Sequence, residues 1–301
     1  MELKQLRSFA AVVKWGSFTR AAEVLYLSQP TISAHIRQLE EELHTKLILR
    51  TTKNLTVTPK GKEIYQYAGN ILELHERMVR CCAGEDTRTI RLGASTIPAA
   101  YLLPELLPAY RARCPEVQVA VRQSDSLEVI SGLRDGMLDA GMAGMPAQEE
   151  HLVSVPFYQD RMVLITPVNE HFLALRREAS PSMERLTDSP FILREEGSGS
   201  RWRGDRLLEQ LGVQEQSLHV AARASDQETI KNLVACGLGV SILSEKAAQP
   251  LIEAGRVLGF TFPGVDSQRA LYLIYQREPQ PKQHIRKFLR FAKEFYHADP
   301  G

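Results

Sequence analysis

Residues 18–41 read FTRAAEVLYLSQPTISAHIRQLEE, and no other run in the chain restricts the fold as strongly. Ser17 is placed to cap a short helix over roughly 18–25, "YLS" turns the chain, and Ser28 caps a third helix running to about Leu43. Pro30 falls in the first turn of that helix, where a missing N–H costs nothing. Upstream, Leu3, Leu6, Phe9, Ala10 and Val13 recur at helical spacing, and Gly16 ends their helix as a left-handed cap. A helix, a short helix, a tight turn and a longer helix make a helix-turn-helix.

The third helix divides by angle. Ile32, Ile36, Leu39 and Leu43 lie within about 60° of one another and face a core. Pro30, Ala34, Arg37 and Gln38 point the other way, with Thr31 and Ser33 beside them and Ser28 and Gln29 opening the helix. That outer face is small, hydrogen-bonding or cationic over two turns, so it can enter a major groove. Gln reads base edges, Thr and Ser donate to phosphates or bases, and Ala or Pro touches a thymine methyl. A merely solvated face is the competing reading. Next, "KLILRTTKNLTVTPKG" alternates as a hairpin and reads as a wing, with Arg50 and Lys53 at its tip to meet phosphates or a narrow minor groove. Charge agrees with a polyanionic partner such as double-stranded operator DNA: residues 1–60 carry +4 while the rest of the chain carries −3.

Thr58-Pro59 starts another helix. Along it Ile64, Tyr67, Ile71, Leu74, Met78 and Cys81 alternate spacings of three and four through three heptads, a pattern that asks for a partner helix. A homodimer or homotetramer is expected, because no neighbouring helix of this length exists; the alternative is a helix packed on its own domain. Cys81 takes a seam position as a small apolar residue, and "AGEDTR" ends the helix as a hinge.

From residue 89 strands and helices alternate, which predicts parallel α/β sheets. The alternation restarts after "DRMVLITP", so two lobes with a cleft between them are expected. Two strand-to-helix junctions stand out. Ser95 and Thr96 occupy one, in "GASTIP"; Ser198, Ser200 and Arg201 occupy the other, in "REEGSGSR". Hydroxyls and free N–H groups at helix starts can hold an anion, and ligands of open α/β sheets sit beyond the strands' carboxyl ends. The alternative is that these hydroxyls only cap their own helices.

Several features point away from other classes. No apolar run reaches bilayer length and no signal-peptide pattern opens the chain, so the cytoplasm is expected. The four cysteines form no metal spacing with histidine, and no cofactor is implied. "EGSGSR" is not a nucleophile elbow, "GLGVS" lacks the third glycine of a dinucleotide fingerprint, and no paired-carboxylate site appears. An enzyme is not expected. A transport-type binding protein would explain two lobes but not the winged helix.

The whole chain resembles the LysR-type transcriptional regulators. The resemblance is most specific in "FTRAAEVLYLSQPTISAHIRQLEEELHTKLILRTTKNLTVTPKG", and "YLLP", "SGLRDGMLDAG", "REEGSGSR" and "GLGVSILS" resemble the family's effector domain. It looks closest to the branch with regulators of sulfur and selenium metabolism and of carbon fixation. The resemblance implies an α/β chain of three parts: a winged helix-turn-helix over 1–58, a dimerisation linker helix and hinge over 59–88, and an effector-binding domain over 89–301. The last part would have the type 2 periplasmic binding protein fold, with lobe I about 89–163 and 268–301 and lobe II about 164–267. Implied partners are operator DNA, a small-molecule effector, a second copy of the chain and RNA polymerase. Carried onto matching positions, the family's roles give Gln29, Pro30, Thr31 and Ser33 to bases and phosphates. Arg50 and Lys53 go to the wing, and Ser95, Thr96, Gly144, Ser198 and Ser200 to the effector cleft. A thiol-based redox sensor is the alternative within the family; Cys236 reads as a packing residue. Departures are His44 where the family has glycine, Ile48 for phenylalanine, Lys53 for arginine, and "QSDS" for Gly-Asn-Ser.

Overall fold

Caps place the first helices. In a computed structural model that describes residues 1–50, 55–82, 88–178, 188–262 and 264–297, α1 spans Leu3–Trp15, α2 Phe18–Leu25 and α3 Gln29–Glu42. Gly16 closes α1 at φ 62°, the Ser17 hydroxyl accepts from Arg20 N–H, and the Ser28 hydroxyl accepts from Thr31 N–H. Two non-glycine residues take left-handed backbone: Tyr26 at φ 55° ends α2, and His44 at φ 49° ends the turn after α3. His44 therefore holds a conformation that glycine adopts without penalty, in keeping with its departure from the family pattern. Phe9, Ile32, Leu39 and Leu47 are fully buried at the centre of this core.

Strands β1 (Ile48–Arg50) and β2 (Leu55–Val57) pair antiparallel as the expected wing. Its tip, with Lys53 and the side chain of Arg50, lies outside the described residues. Thr58 caps α4 (Pro59–Cys82): its hydroxyl accepts from Gly61 N–H at 2.9 Å and donates to Lys46 O at 2.8 Å. Gly61 is required there, because a Cβ would stand 2.2 Å from Leu47 O.

The expected seam of α4 needs one correction. Ala68 is buried in the core of the first three helices, and Ile64, Tyr65 and Leu72 pack against it. Ile64 thus faces its own domain rather than a partner, because its side lies over α1. Tyr67, Ile71, Leu74 and Met78 are all exposed, between 39% and 59%. The Cys81 side chain and residues 83–87 of the hinge lie outside the described residues. Residues 1–87 and 88–301 form two compact units.

In the second unit, β3 (Thr89–Ala94) pairs parallel with β4 (Gln118–Gln123) and β5 (Ala140–Ala143). Between β3 and β4 the expected helix divides. Leu103 N–H reaches Pro98 O, five residues back, making a π-helical turn over Pro98–Leu102 just ahead of Pro104; α5 (Leu103–Arg113) follows. Proline has no N–H to continue the regular ladder, and such widened turns cluster at functional sites. Helix α6 (Ser126–Arg134) leads into β5.

The expectation of parallel sheets holds only in part. Strand β6 (Leu152–Pro167) runs through both lobes: it pairs antiparallel with β11 (Gln268–Gln276) as far as Arg161, then with β9 (Ser241–Ser244) from Met162 and β10 (Val257–Phe260) from Leu164. Strands that cross and return between lobes must run antiparallel. The second lobe also holds α7 (Glu170–Arg177), the parallel pair β7 (Phe191–Arg194) and β8 (Val220–Ala224), and helices α8 (Gly199–Gln210), α9 (Gln227–Ala235) and α10 (Glu245–Glu253). Helix α11 (Gln283–His297) returns to the first lobe, where Ile285, Phe288 and Ala292 enter the core with Leu102, Leu106 and Leu273. No helix among the described residues is long and apolar enough to cross a membrane.

Candidate functional site

Two candidate surfaces occupy separate units. On the first, Ser28, Gln29, Pro30, Ala34 and Arg37 are exposed along α3, and Thr31 and Ser33 are half-buried beside them. The hydroxyls are already organised: Ser28 Oγ lies 2.7 Å from Thr31 Oγ1, and Gln29 Nε2 donates to Ser33 Oγ at 3.3 Å. Ser33 and Arg37 line one wall of a groove of about 380 Å³ whose other wall is Ile48 and Leu49 of the wing. The angle between helix and wing is fixed by Glu40, which sequence reasoning missed. Its carboxylate accepts from Leu47 N–H at 3.0 Å, Ile48 N–H at 3.1 Å and Lys46 Nζ at 2.6 Å. Burial alone would raise the Glu40 carboxyl; these three donors hold it below the ordinary carboxylate value.

The second surface is the cleft between the lobes, which brings together Ser95, Thr96, Gly144, Ser198 and Ser200. Ser198 stands at the N-cap of α8, yet its hydroxyl makes no capping bond, so the reading in which it only caps its own helix fails at this residue. The walls meet at glycines. A Cβ on Gly199 would lie 2.8 Å from the backbone of Gly144 and 2.9 Å from Ser126 Oγ, so only glycine lets the lobes approach this closely. The free space is about 10 Å³, roughly the room of one water.

Two arginines furnish the cleft's positive charge, and neither was singled out from the sequence. Arg194, 4% exposed at the end of β7, donates through Nη2 to Thr96 Oγ1 across the cleft at 3.4 Å and to Glu195 at 2.7 Å. Its Nη1 is buried without a hydrogen-bond partner among the described residues. Arg269, on β11, pairs with Asp160 at 2.7 Å and donates to Ser200 Oγ at 3.2 Å. A second link joins the lobes away from the cleft floor. Lys231 Nζ of α9 donates to Tyr101 Oη of the π-helical turn at 3.1 Å and to Ala247 O at 3.0 Å.

Sequence-family matching decides what these two surfaces belong to. Residues 3–62 match the family described as "Bacterial regulatory helix-turn-helix protein, lysR family", and residues 83–296 match "LysR substrate binding domain". The chain belongs to the LysR family of transcriptional regulators. Among curated relatives, the RuBisCO operon transcriptional regulator of Allochromatium vinosum is 30% identical over 92% of this chain and 90% of its own. The HTH-type transcriptional regulator CysL of Bacillus subtilis is 34% identical over 79% of each chain. Both agree with the branch the sequence resembles. Of solved structures, full-length CbnR complexed with its target DNA has a TM-score of 0.72 at 21% identity, covering 98% of this chain and 99% of that one; it supports the fold.

One expected cleft residue of this LysR-type regulator does not reach the cleft. Arg201 is 8% exposed but turns back along α8, donating to Asp205 Oδ2 at 2.7 Å and to Arg194 O at 3.3 Å, and pairing with Glu215. Asp205, one helical turn on, was the signal in the sequence for this inward pairing. Cys236 is also corrected: it is exposed at the end of α9 rather than packed, because Gly237 ends the helix there. The cysteines with described side chains (Cys82, Cys114 and Cys236) are free, and none lines the cleft.

Hydrogen bonds from Arg201, and then from Arg223, pull the Glu215 carboxyl from 4.5 down to about 2. A depressed folded-state value means that this interaction stabilises fully above about pH 4.5 and fades as pH falls toward 2. Melting temperatures measured from pH 7 to pH 3 should therefore show Glu215→Gln less stable than wild type at neutral pH, with the gap narrowing below pH 4. A constant gap across that range would contradict the assignment.

Proposed function

We propose that this LysR-type regulator binds operator DNA as an oligomer paired through α4, and that a small anion in the effector cleft alters how it binds. Arg194 Nη1 is the observation that carries the reading. Arg194 lines a cleft whose walls also carry Ser95, Ser198 and the α8 helix start, and its Nη1 is buried with no hydrogen-bond partner among the described residues. Leaving such a donor unpaired is costly, and an oxyanion would satisfy it together with the adjacent hydroxyls. The small free volume favours compact anions; a larger one must part the lobes.

A ligand that binds the native state raises its stability by mass action, about 2.7 kcal/mol at a hundred times Kd. A thermal-shift panel of sulfur-assimilation intermediates, selenium oxyanions, phosphorylated sugars and short carboxylates should yield a specific hit in wild type. Arg194→Met should abolish that hit. A hit that survives the substitution would move the ligand elsewhere.

On the DNA side, Gln29→Ala should cost about 1–3 kcal/mol on the true operator and little on random duplex. Lys53→Ala should weaken binding on both and lower the salt slope by about one for each phosphate it no longer neutralises. Filter binding on the two duplexes at several salt concentrations separates the roles. Equal losses for Gln29→Ala on both would remove its role in base reading.

A further inference from the structure

A second concavity lies in the effector domain, away from the cleft, beside α11. It has a volume of about 530 Å³ and a floor of Val153, Val155, Leu273 and Tyr275 from β6 and β11, with Leu289 of the helix at its side. Val153 pairs with Tyr275 and Val155 with Leu273, so the floor is one continuous apolar strip on one face of the sheet. Helix α11 covers only part of that face. Over Leu152–Arg161, β6 has β11 as its sole strand neighbour among the described residues, so the strip runs out to a sheet edge and is open at the side.

The rim is cationic. Arg277 closes one end, and Arg286, Arg290 and Lys293 follow along α11. All four are exposed. The last three stand at i, i+4 and i+7, on one face of the helix over about 10 Å. Arg286 Nη1 donates to the neutral Gln280 side chain at 3.2 Å, and among the described residues no ion pair involves any of the four. Across α11 as a whole, Arg286, Lys287, Arg290 and Lys293 oppose only Glu294.

From this juxtaposition we infer that the groove between α11 and the β6 edge docks an acidic amphipathic segment of a partner protein. Its apolar side chains would fill the strip, and its carboxylates would meet the row of cations. A single carboxylate would engage one arginine and leave the rest of the row unused. Nucleic-acid phosphates would satisfy the rim but leave the apolar floor in water. A helix carrying Leu and Glu three and four residues apart matches both features at the spacing of α11 itself.

The test uses the full-length chain and a fluorescein-labelled 14-residue peptide with Leu on one helical face and Glu on the other. Anisotropy should show binding that weakens as salt rises. Replacing the Leu with Ser, or the Glu with Gln, should each weaken it at least tenfold. The surface double variant Arg290→Glu/Lys293→Glu should lose the peptide tenfold or more, then gain a peptide with Lys in place of Glu. That exchange of partners cannot arise from misfolding. No binding by wild type, equal binding by the double variant, or equal binding of the Ser peptide would overturn the inference. So would displacement of the peptide by millimolar decanoate at full occupancy, which would mark a small-molecule site. A change in sedimentation of the double variant alone would make the occupant a second copy of the chain, and would overturn it equally.

Discussion

Arg269→Met should destabilise the effector domain by about 3–5 kcal/mol, above the usual loss of about 0.5–3 kcal/mol for a single substitution. Arg269 and Asp160 stand directly opposite each other on β11 and β6, and their side chains are only 3% and 2% exposed. The guanidinium donates to Asp160 Oδ2 through Nε at 2.8 Å, while Ser244 Oγ donates to Oδ1 at 2.9 Å. Removing the arginine leaves a buried carboxylate with one hydroxyl in place of its countercharge. Removing both charges is a different matter, because well-packed apolar replacements of a buried pair are often neutral or stabilising. Arg269→Met/Asp160→Leu should therefore recover most of the loss. Urea unfolding followed by Trp202 fluorescence, in a Trp15→Phe background, reports on the effector domain alone. A single-variant loss under about 1 kcal/mol would mean that water reaches Asp160 and the pair is not desolvated.

Ile71→Lys/Leu74→Lys should release monomers and lower operator affinity by roughly 10²–10⁴-fold, the factor by which linking two binding modules exceeds one. Ile71 is 39% and Leu74 49% exposed, midway along the apolar row that also holds Tyr67 and Met78. Like charges facing each other across a paired seam would repel, while a solvated lysine on a lone helix costs little. Sedimentation velocity and operator binding should change together, with the helix content of the variant unaltered. A double variant that sediments like wild type would place the pairing surface elsewhere.

Legibility in the sequence followed the range of the physics involved. Caps act over three residues, so Ser17, Ser28 and Thr58 located their helices in advance. The buried face of α3 needed only a 3.6-residue period. Ile64 misled because helical period places it with Tyr67 and Ile71, whereas the side it faces depends on α1, fifty residues away. Arg201 and Arg194 flank the same loop, and the sequence alone favoured the one beside the hydroxyls. What separates them is direction: Arg201 points down its own helix to Asp205, and Arg194 ends a strand whose carboxyl end opens on the cleft. Arg269 lay beyond local reading altogether, since its partners Asp160 and Ser200 are 109 and 69 residues distant. The close approach of Gly144 and Gly199 is likewise a property of two lobes together. Alternation of strands and helices also concealed that β6 serves both lobes, because a strand's length says nothing of which neighbours flank it.

In the proposed mechanism, an anion held by Arg194 in the cleft is coupled to operator binding through the full chain. Operator affinity measured with and without the anion selected by thermal shift tests it most directly. In wild type, saturating anion should change that affinity by about 5–150-fold, the usual span of a coupling free energy. Arg194→Met should bind the operator as wild type does without anion, and adding anion should leave it unchanged. An anion that binds wild type yet leaves operator affinity unaltered, or that shifts Arg194→Met by the same factor, would rule out this coupling.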